Sequence, residues 1–319
     1  MAMSNKTVRS RLAGAVSVLA AVGLLAGCAT GGPGGPAPSE LGAGTSMGAV
    51  ELLTADPEPL LQFYVDGVGL EVLADVEGAV TLGIDGTPLL SLVETDAPAD
   101  SFNDAGLYHS AFLFPDEKTL ADALVRTATI APNSFQGSSD HTVSQAFYFG
   151  DPDGNGVELY VDRPRDGWEW DDNLVTMGSA ALDPNAFIAE NFDPAELGEH
   201  ADGVVMGHVH LRGGDLADAE QFYADTLGFA VTARSEGAVF FAADGYHHHL
   251  AVNVWSSEGA GERPESTGLG HVTIHVGDPS ELDSLEARLN EAEHNYTREG
   301  SELRTSDPWG TQIIVSVKG

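Results

Sequence analysis

The chain has 319 residues, enough for one large or two medium domains, and its 42% of apolar residues is typical of a globular protein. It carries 49 acidic and 14 basic side chains, a formal net charge of −35. This charge argues strongly against nucleic acid as a partner, because phosphate binding requires the opposite sign. We also expect stability to rise with salt, since counter-ions screen the self-repulsion of an acidic surface.

The N-terminus has the pattern of a targeting segment. Lys6, Arg9 and Arg11 form a positively charged start, and an apolar stretch from Leu12 to Leu25 follows. This stretch is short for a membrane span and is typical of the central part of a signal peptide. It ends in Leu-Ala-Gly-Cys, which places Cys28, the single cysteine of the chain, at the expected processing point.

The Leu-Ala-Gly-Cys ending resembles a bacterial lipobox. The resemblance implies a lipoprotein signal peptide over residues 1–28, with Cys28 lipidated, and an extracytoplasmic protein that meets the membrane only through this lipid. The alternative is a plain signal peptide or anchor with an incidental cysteine. Residues 29–47 are rich in glycine and proline and are predicted to form a flexible linker between the membrane and a folded domain.

An internal repeat organises the rest of the chain. Phe63-Tyr64 recurs as Phe222-Tyr223, 159 positions later, each pair being followed by a short apolar-glycine-apolar motif. Asp151-Pro152-Asp153-Gly154 recurs as Asp307-Pro308-Trp309-Gly310, 156 positions later. The near-constant spacing predicts two similar halves.

Each half divides again into two units of a strand, a helix and three strands, which predicts an α+β fold of four βαβββ units. The first strands of the units lie near Val50, Leu107, Met206 and Gly270. We therefore predict a first domain over residues 48–162, a connector over 163–204 and a second domain over 205–319. The connector is long for a compact protein and is predicted to contain a helical turn near Pro184–Glu190.

The segment Phe147–Tyr160, FYFGDPDGNGVELY, is predicted to form a β-hairpin with a tight turn at its centre. Alternation along the second strand places Glu158 on the face opposite Val157 and Leu159. A carboxylate in so apolar a strand requires a partner, which is either a salt bridge or solvent on an open face, or a metal ion inside a curved sheet.

Four such units, with these motifs in register, resemble the vicinal oxygen chelate superfamily of glyoxalases, bleomycin-resistance proteins and extradiol dioxygenases. The resemblance covers residues 48–317 and is most specific to the two-domain catechol 2,3-dioxygenase-like group, through GLYHSAFLFP, SSDHTVSQAFYFGDPDGNGVELYVDRP, GHVHL and GYHHHLAVNVW. It implies two curved-sheet, cup-like barrels. It also implies a divalent metal, Fe(II) before Mn(II) or Zn(II), and a small aromatic substrate with dioxygen as partners.

In this family two histidines from first strands and one glutamate from a last strand hold the metal. The equivalent first-strand positions are Ala49, His109, His208 and His271, and the last-strand positions are Glu158 and Ile314. Only the two middle units together supply the set, so His109, His208 and Glu158 are predicted to bind the metal, in the facial arrangement of non-haem iron enzymes. The alternative site combines His208, His271 and a histidine of the 247–249 run, but it lacks a carboxylate.

The resemblance also assigns catalytic positions. Tyr148 matches a tyrosine that hydrogen-bonds the substrate, and His141 matches a polar residue that lines the pocket. His247, His248 and His249 lie where the family has its acid–base histidine. If the run is a strand, His247 and His249 share a face, so one or both look into the cup, where His247 or His249 is predicted to move protons, and His248 faces away. His210 shares a face with His208 and is an alternative ligand or a supporting group.

The leading hypothesis is therefore an extradiol-type dioxygenase that cleaves a catechol-like aromatic. One alternative is a non-catalytic lipoprotein that binds a small molecule in the same cup, and another is a glyoxalase-like metal-dependent lyase or isomerase. The sequence leaves the oligomeric state open, with a homo-oligomer as one option.

Overall fold

The computed structural model describes residues 34–195, 197–198 and 202–318. Within them the four predicted βαβββ units are confirmed. Unit one comprises β1 (Ser46–Thr54), α1 (Pro57–Leu61, continued by a π-helical turn at Gln62–Val68), β2 (Glu71–Val76), β3 (Ala79–Ile84) and β4 (Thr87–Glu94). Unit two comprises β5 (Gly106–Phe114), α2 (Glu117–Ile130), β6 (Phe135–Asp140), β7 (Ser144–Gly150) and β8 (Gly156–Asp162).

The connector contains short elements only, namely a 3₁₀ turn (Arg165–Gly167), β9 (Trp170–Asp171), β10 (Leu174–Val175), β11 (Ala180–Ala181) and α3 (Pro184–Asn191). Unit three comprises β12 (Val205–Arg212), α4 (Leu216–Glu220, continued by a π-helical turn at Gln221–Thr226), β13 (Ala230–Ser235), β14 (Ala238–Ala242) and β15 (Leu250–Asn253). Unit four comprises β16 (Gly268–Val276), α5 (Pro279–Glu291), β17 (Tyr296–Glu299), β18 (Glu302–Ser306) and β19 (Gln312–Val317).

The five α-helices of the described residues all start in the same way. An aspartate precedes each helix, and its side chain accepts a backbone N–H of the first turn, which satisfies a donor that the helix itself cannot pair. The capping residues are Asp56, Asp116, Asp183, Asp215 and Asp278. Part of the large acidic content of the chain therefore serves to fix helix starts.

Most of the strands form two large curved sheets, whereas β9 and β10 pair only with each other. The outer sheet, built from units one and four, has eight strands in the order β17-β18-β19-β16-β1-β4-β3-β2. The middle sheet, built from units two and three plus one connector strand, has nine in the order β11-β6-β7-β8-β5-β12-β15-β14-β13. Antiparallel pairs join the units, β1 with β16 and β5 with β12. The two sequence halves therefore do not correspond to the two sheets, because each sheet takes one unit from either half.

The core follows from alternation along the strands. In β8, Val157, Leu159 and Val161 enter the main hydrophobic cluster, whereas the side chains between them point to the other face of the sheet. The apolar sides of the longer helices join the same cluster, through Leu120 and Leu124 on α2 and equivalent leucines on α5. One face of each sheet is thus packed, and the other is left to form a concave surface.

The repeated sequence motifs meet in space. The hydroxyl of Tyr64 donates to the Asp151 carboxylate at 2.9 Å, and that of Tyr223 donates to Asp307 at 3.0 Å. Each pair links the helix of one unit to the turn before the last strand of the next unit. Burial raises the pKa of Asp151 to about 6, despite hydrogen bonds from Asn155 and Tyr64 that favour the carboxylate. The internal repeat therefore preserves a contact between successive units.

The connector packs against the middle sheet. Trp168 and Val175 are buried in a small apolar cluster with Val143, Ala242 and Tyr246. The Trp168 indole N–H donates to the carbonyl of Arg163, which holds the ring against the sheet. The helical turn predicted in the connector is confirmed as α3.

The N-terminal signal peptide and Cys28 lie outside the described residues. The predicted flexible linker, residues 29–47, is only partly described, and its last part is packed. Leu41 is buried, and the backbone N–H of Gly42 donates to Glu281 at 2.7 Å. The prediction of flexibility is therefore wrong for this stretch, because an apolar side chain enters the core and the backbone gains partners. No helix in the described part of the chain is long and apolar enough to cross a membrane.

Candidate metal centre

The central strands of the middle sheet bring the predicted ligands together. His109 lies on β5, His208 on the antiparallel neighbour β12 and Glu158 on the parallel neighbour β8. In the register of the sheet Ala111 is opposite both His208 and Glu158. Because this alanine is small, the two longer side chains on either side of it have room to approach each other. The predicted hairpin that carries Glu158 is confirmed as β7 and β8.

Three ligand atoms converge on one point. The Nε2 atoms of His109 and His208 are 3.3 Å apart, and they lie 3.0 and 3.2 Å from Oε2 of Glu158. Ligands at right angles on one ion, each at a metal distance near 2.1 Å, would be about 3 Å from one another. Two imidazoles and a carboxylate are also a donor set that first-row divalent metals accept. The residues present therefore fit a metal ion, and they form the one such group found in the described residues.

The protonation states suit metal binding. Burial raises the pKa of Glu158, but the charges and hydrogen bonds of His208 and His109 outweigh burial and hold this pKa well below its usual value. Burial lowers the pKa of His208 to about 4, despite the opposing charge of Glu158. At neutral pH the glutamate is thus ionised and the imidazole of His208 is neutral, which are the forms that bind metals.

The second ring nitrogen of His208 has an unusual setting. Its Nδ1 is buried and finds no hydrogen-bond partner among the described residues. A metal-binding histidine usually donates this N–H to a carbonyl or carboxylate. Here the ring is held instead by packing against His248, whose ring centroid is 4.0 Å away.

Tyr148 and His141 lie together beside the ligands. Tyr148 is opposite Glu158 in the hairpin, and its ring centroid is 5.6 Å from that of His109. The carbonyl of Gly178 lies 2.8 Å from Nδ1 of His141, so Nδ1 carries the proton and Nε2 accepts from the Tyr148 hydroxyl, also at 2.8 Å. Burial raises the pKa of Tyr148, which keeps the hydroxyl protonated.

The run of three histidines differs from its prediction. Residues 246–249 lie outside any strand, and β15 begins only at Leu250, so strict alternation does not apply to them. His248, predicted to face away, packs against His208. His249 accepts the backbone N–H of Ala243 and packs beside Tyr246 instead of entering the cup. The prediction that His248 faces away is therefore wrong, because a turn and not a strand carries these residues.

His247 is fully buried, and each of its two ring nitrogens has a hydrogen-bond partner. Its Nε2 lies 2.8 Å from a carboxylate oxygen of Asp162, and its Nδ1 lies 2.7 Å from Nδ1 of His248. Sequence reasoning missed Asp162, although it lies four residues after Glu158 and hence on the same face of β8. This spacing is the signal that would have found it.

His210 is not one of the three converging ligands. Its Nε2 accepts the side-chain amide of Asn253 at 3.1 Å, and its ring packs edge-on against His109. Burial lowers its pKa well below the usual value, so the ring is neutral. His210 therefore supports a ligand without being one.

The alternative site in the second half is not assembled. His271 lies on β16 of the outer sheet, where its Nδ1 is 3.1 Å from a carboxylate oxygen of Glu51. His208, its supposed partner, lies on the middle sheet. The two rings belong to different concave surfaces and do not face a common ion.

Comparison with known proteins agrees with the fold and the site. Residues 46–159 and 205–315 match the model of the Glyoxalase/Bleomycin resistance protein/Dioxygenase superfamily. The chain belongs to this superfamily. It is 35% identical, over 280 residues, to a protein of Bacillus subtilis (strain 168) named catechol-2,3-dioxygenase, an alignment that covers 86% of this chain and 97% of the relative.

Solved structures show the same fold at low identity. A putative dioxygenase from Bacillus subtilis superposes with a TM-score of 0.60 at 11% identity, covering 85% of this chain and 84% of its own. Glyoxalase I from Zea mays superposes with a TM-score of 0.52 at 14% identity, covering 86% and 92%. At these identities the likeness concerns the fold alone, and it includes proteins of different activity.

Proposed function

We propose that the protein is a metal-dependent dioxygenase that cleaves the ring of a catechol-like aromatic beside its two hydroxyl groups. The observation that carries the proposal is the convergence of His109, His208 and Glu158 at the floor of a concave sheet. The relative named catechol-2,3-dioxygenase, which aligns over nearly its whole length, supports the choice of this reaction within the superfamily. We propose Fe(II) as the metal.

The ligand set suits this reaction. His109, His208 and Glu158 would hold the ion, and a set of two histidines and one carboxylate would leave room on the metal for the substrate and dioxygen. When bound, the metal would supply charge stabilisation and a template that holds both reactants together. Burial of the three side chains excludes water and strengthens these electrostatic contacts.

Tyr148 is proposed to orient the substrate. Since its hydroxyl donates to His141, its oxygen retains lone pairs that can accept a hydrogen bond from a substrate hydroxyl. His141 is itself fixed by the Gly178 carbonyl, so the direction of the tyrosine hydroxyl is set before the substrate arrives. This arrangement reduces the cost of ordering the substrate.

His248 is proposed to accept a proton from the substrate. It packs against the ligand His208 and keeps 8% of its surface exposed, whereas His247 is entirely buried. In the step, the O–H bond of a substrate hydroxyl breaks, the electron pair stays on oxygen, and the proton passes to the imidazole. A neutral imidazole is required, and burial lowers the pKa of His248 well below its usual value.

The test is anaerobic loading with Fe(II), Mn(II) or Zn(II) followed by exposure to catechols in air. We expect one metal per chain and formation of the yellow ring-fission product with Fe(II). Failure to take up any metal would remove every metal-dependent function. Metal uptake without ring cleavage would instead favour a lyase or isomerase of the same superfamily.

We further propose that the protein is lipidated at Cys28 and held outside the cytoplasm by this lipid. The lipobox-like sequence supports the proposal. Labelling cells with a radioactive fatty acid should mark the wild-type chain and not Cys28→Ser, which should also leave the membrane fraction. Equal labelling of both chains would contradict it.

A further inference from the structure

A chain of hydrogen bonds leads from a partly exposed carboxylate to the metal ligands. It starts at Asp162, whose side chain is 20% exposed, and passes through the fully buried His247 to His248. The His248 ring then lies against the ligand His208. Among the described residues neither Asp162 nor His247 has a hydrogen bond to the three ligands, and the His247 ring lies 6.1 Å from that of His208 between centroids, so the hydrogen-bonded route from Asp162 toward the site runs through His248.

The order of donors and acceptors along the chain follows from the carboxylate. An ionised carboxylate only accepts, so Nε2 of His247 carries the proton that bonds Asp162. In a neutral imidazole Nδ1 of His247 is then an acceptor, and the proton of the 2.7 Å contact must belong to Nδ1 of His248. The remaining nitrogen of His248, Nε2, is therefore the one with a free lone pair. Nothing among the described residues bonds to it.

Packing holds the middle of the chain in place. The ring of Tyr246 lies 4.1 Å from that of His247, and the indole of Trp168 lies 5.2 Å away, both measured between centroids. The Tyr246 hydroxyl is fixed by that of Tyr160 at 2.8 Å. Because Trp168 belongs to the connector, this long segment contributes directly to the support of the metal site.

We propose that Asp162 and His247 are positioning residues that fix the tautomer and the orientation of His248, so that its Nε2 lone pair is available to a substrate hydroxyl. The proposal rests on the function proposed above, in which His248 accepts the substrate proton. It explains why a carboxylate and a second histidine lie behind the site although neither touches the ligands.

The tautomer can be read directly by ¹⁵N NMR of the full chain, labelled at its histidine ring nitrogens and loaded with diamagnetic Zn(II). Comparison with His248→Gln assigns the His248 signals. In the wild type we expect His248 to carry its proton on Nδ1. In His247→Phe, which fills the space but cannot accept, the signals should move toward the Nε2-protonated form.

Turnover provides the second readout. Asp162→Asn and His247→Phe should keep one metal per chain and lower kcat roughly 10- to 100-fold with little change in KM, because binding of substrate to the metal is unaffected. Asp122→Asn is the matched control, since Asp122 is a poorly exposed carboxylate paired with Arg126 on α2, away from the site. It should leave both readouts unchanged.

The outcomes separate the two proposals. A wild-type His248 protonated on Nε2, or a tautomer that is the same in His247→Phe, would overturn the positioning role. An unchanged kcat in both variants would overturn it as well. If the tautomer shifts as expected but the wild type cleaves no catechol, the positioning role stands and the proposed reaction fails.

Discussion

The outer and middle sheets have the same architecture, but only one of them assembles a metal site. On the middle sheet His109, His208 and Glu158 are buried and converge within 3.3 Å. At the equivalent positions the outer sheet has His271, Ala49 and Ile314. Of these three only His271 is a histidine, and its ring contacts Glu51. Glu51 occupies the position that is equivalent to His210 of the middle sheet. Both partners of this pair are about a quarter exposed, at 23% and 26%.

The difference between the two sheets shows that the fold by itself does not supply a metal site. Both sheets provide a concave face and a central antiparallel strand pair, so geometry alone does not make a site. The middle sheet adds the ligand triad, and the connector and the histidine turn cover it. At these positions the outer concave face keeps a contact between His271 and Glu51 that is about a quarter exposed, an arrangement that contributes little to stability in water.

Removal of the carboxylate ligand should have the largest effect. Glu158→Gln leaves the shape of the side chain but removes its charge, and we expect metal affinity to fall at least about 100-fold. His109→Ala should behave in the same way. His271→Ala, in the outer sheet, should retain full metal content by elemental analysis. The reverse result would move the site to the outer sheet.

The buried Asp151 should give a pH-dependent stability. Its pKa is about 6 in the folded protein and near 3.9 in the unfolded chain. The protonated carboxyl therefore contributes to the free energy of unfolding, and this contribution is fully present below about pH 4 and is lost as the pH rises through 6. The unfolding free energy of wild type minus that of Asp151→Asn should fall by roughly 3 kcal/mol between pH 4 and 7. Urea titrations at four pH values measure it, and a flat difference would contradict the expectation. The pKa of Asp307, its counterpart, is raised in the same direction by burial.

Two equivalent glycines should differ in their tolerance of a methyl group. A Cβ at Gly207 would lie 1.8 Å from the hydroxyl of the fully buried Tyr160, whereas a Cβ at Gly48 would meet the movable ends of His275 and Thr273. Gly207→Ala should therefore cost about 1–3 kcal/mol and Gly48→Ala clearly less. Adding Tyr160→Phe to Gly207→Ala should restore part of the loss, as measured by denaturant unfolding. Equal costs for the two glycines would show that the middle sheet is not packed more tightly there.

The smallest expected effect concerns substrate orientation. Tyr148→Phe removes one hydroxyl that His141 orients, and we expect kcat to fall roughly tenfold, about 1.4 kcal/mol, with unchanged metal content. Arg304→Ala, at the equivalent outer position, should leave turnover unchanged. An equal loss in both variants would indicate a general effect on the fold.

The sequence alone determined the four units and the hairpin around Glu158, and its resemblance to a known superfamily implied the set of ligand candidates. These follow from local patterns, because alternation and turn residues define strands, and the repeat spacing aligns equivalent positions. Because position 314 is not a glutamate and position 49 is not a histidine, only the two middle units together can supply the two histidines and one glutamate that the resemblance implies.

Only the tertiary structure decided which histidine of the 247–249 run meets the ligands. Alternation predicts side-chain direction only where a residue pairs in a sheet, and these three residues lie in a turn before β15. The same holds for the bond between His247 and Asp162, which are 85 positions apart, and for the packing of Leu41 and Trp168 from segments that have no repeat partner. Contacts of this kind depend on how distant segments fold over one another, and no local periodicity encodes them.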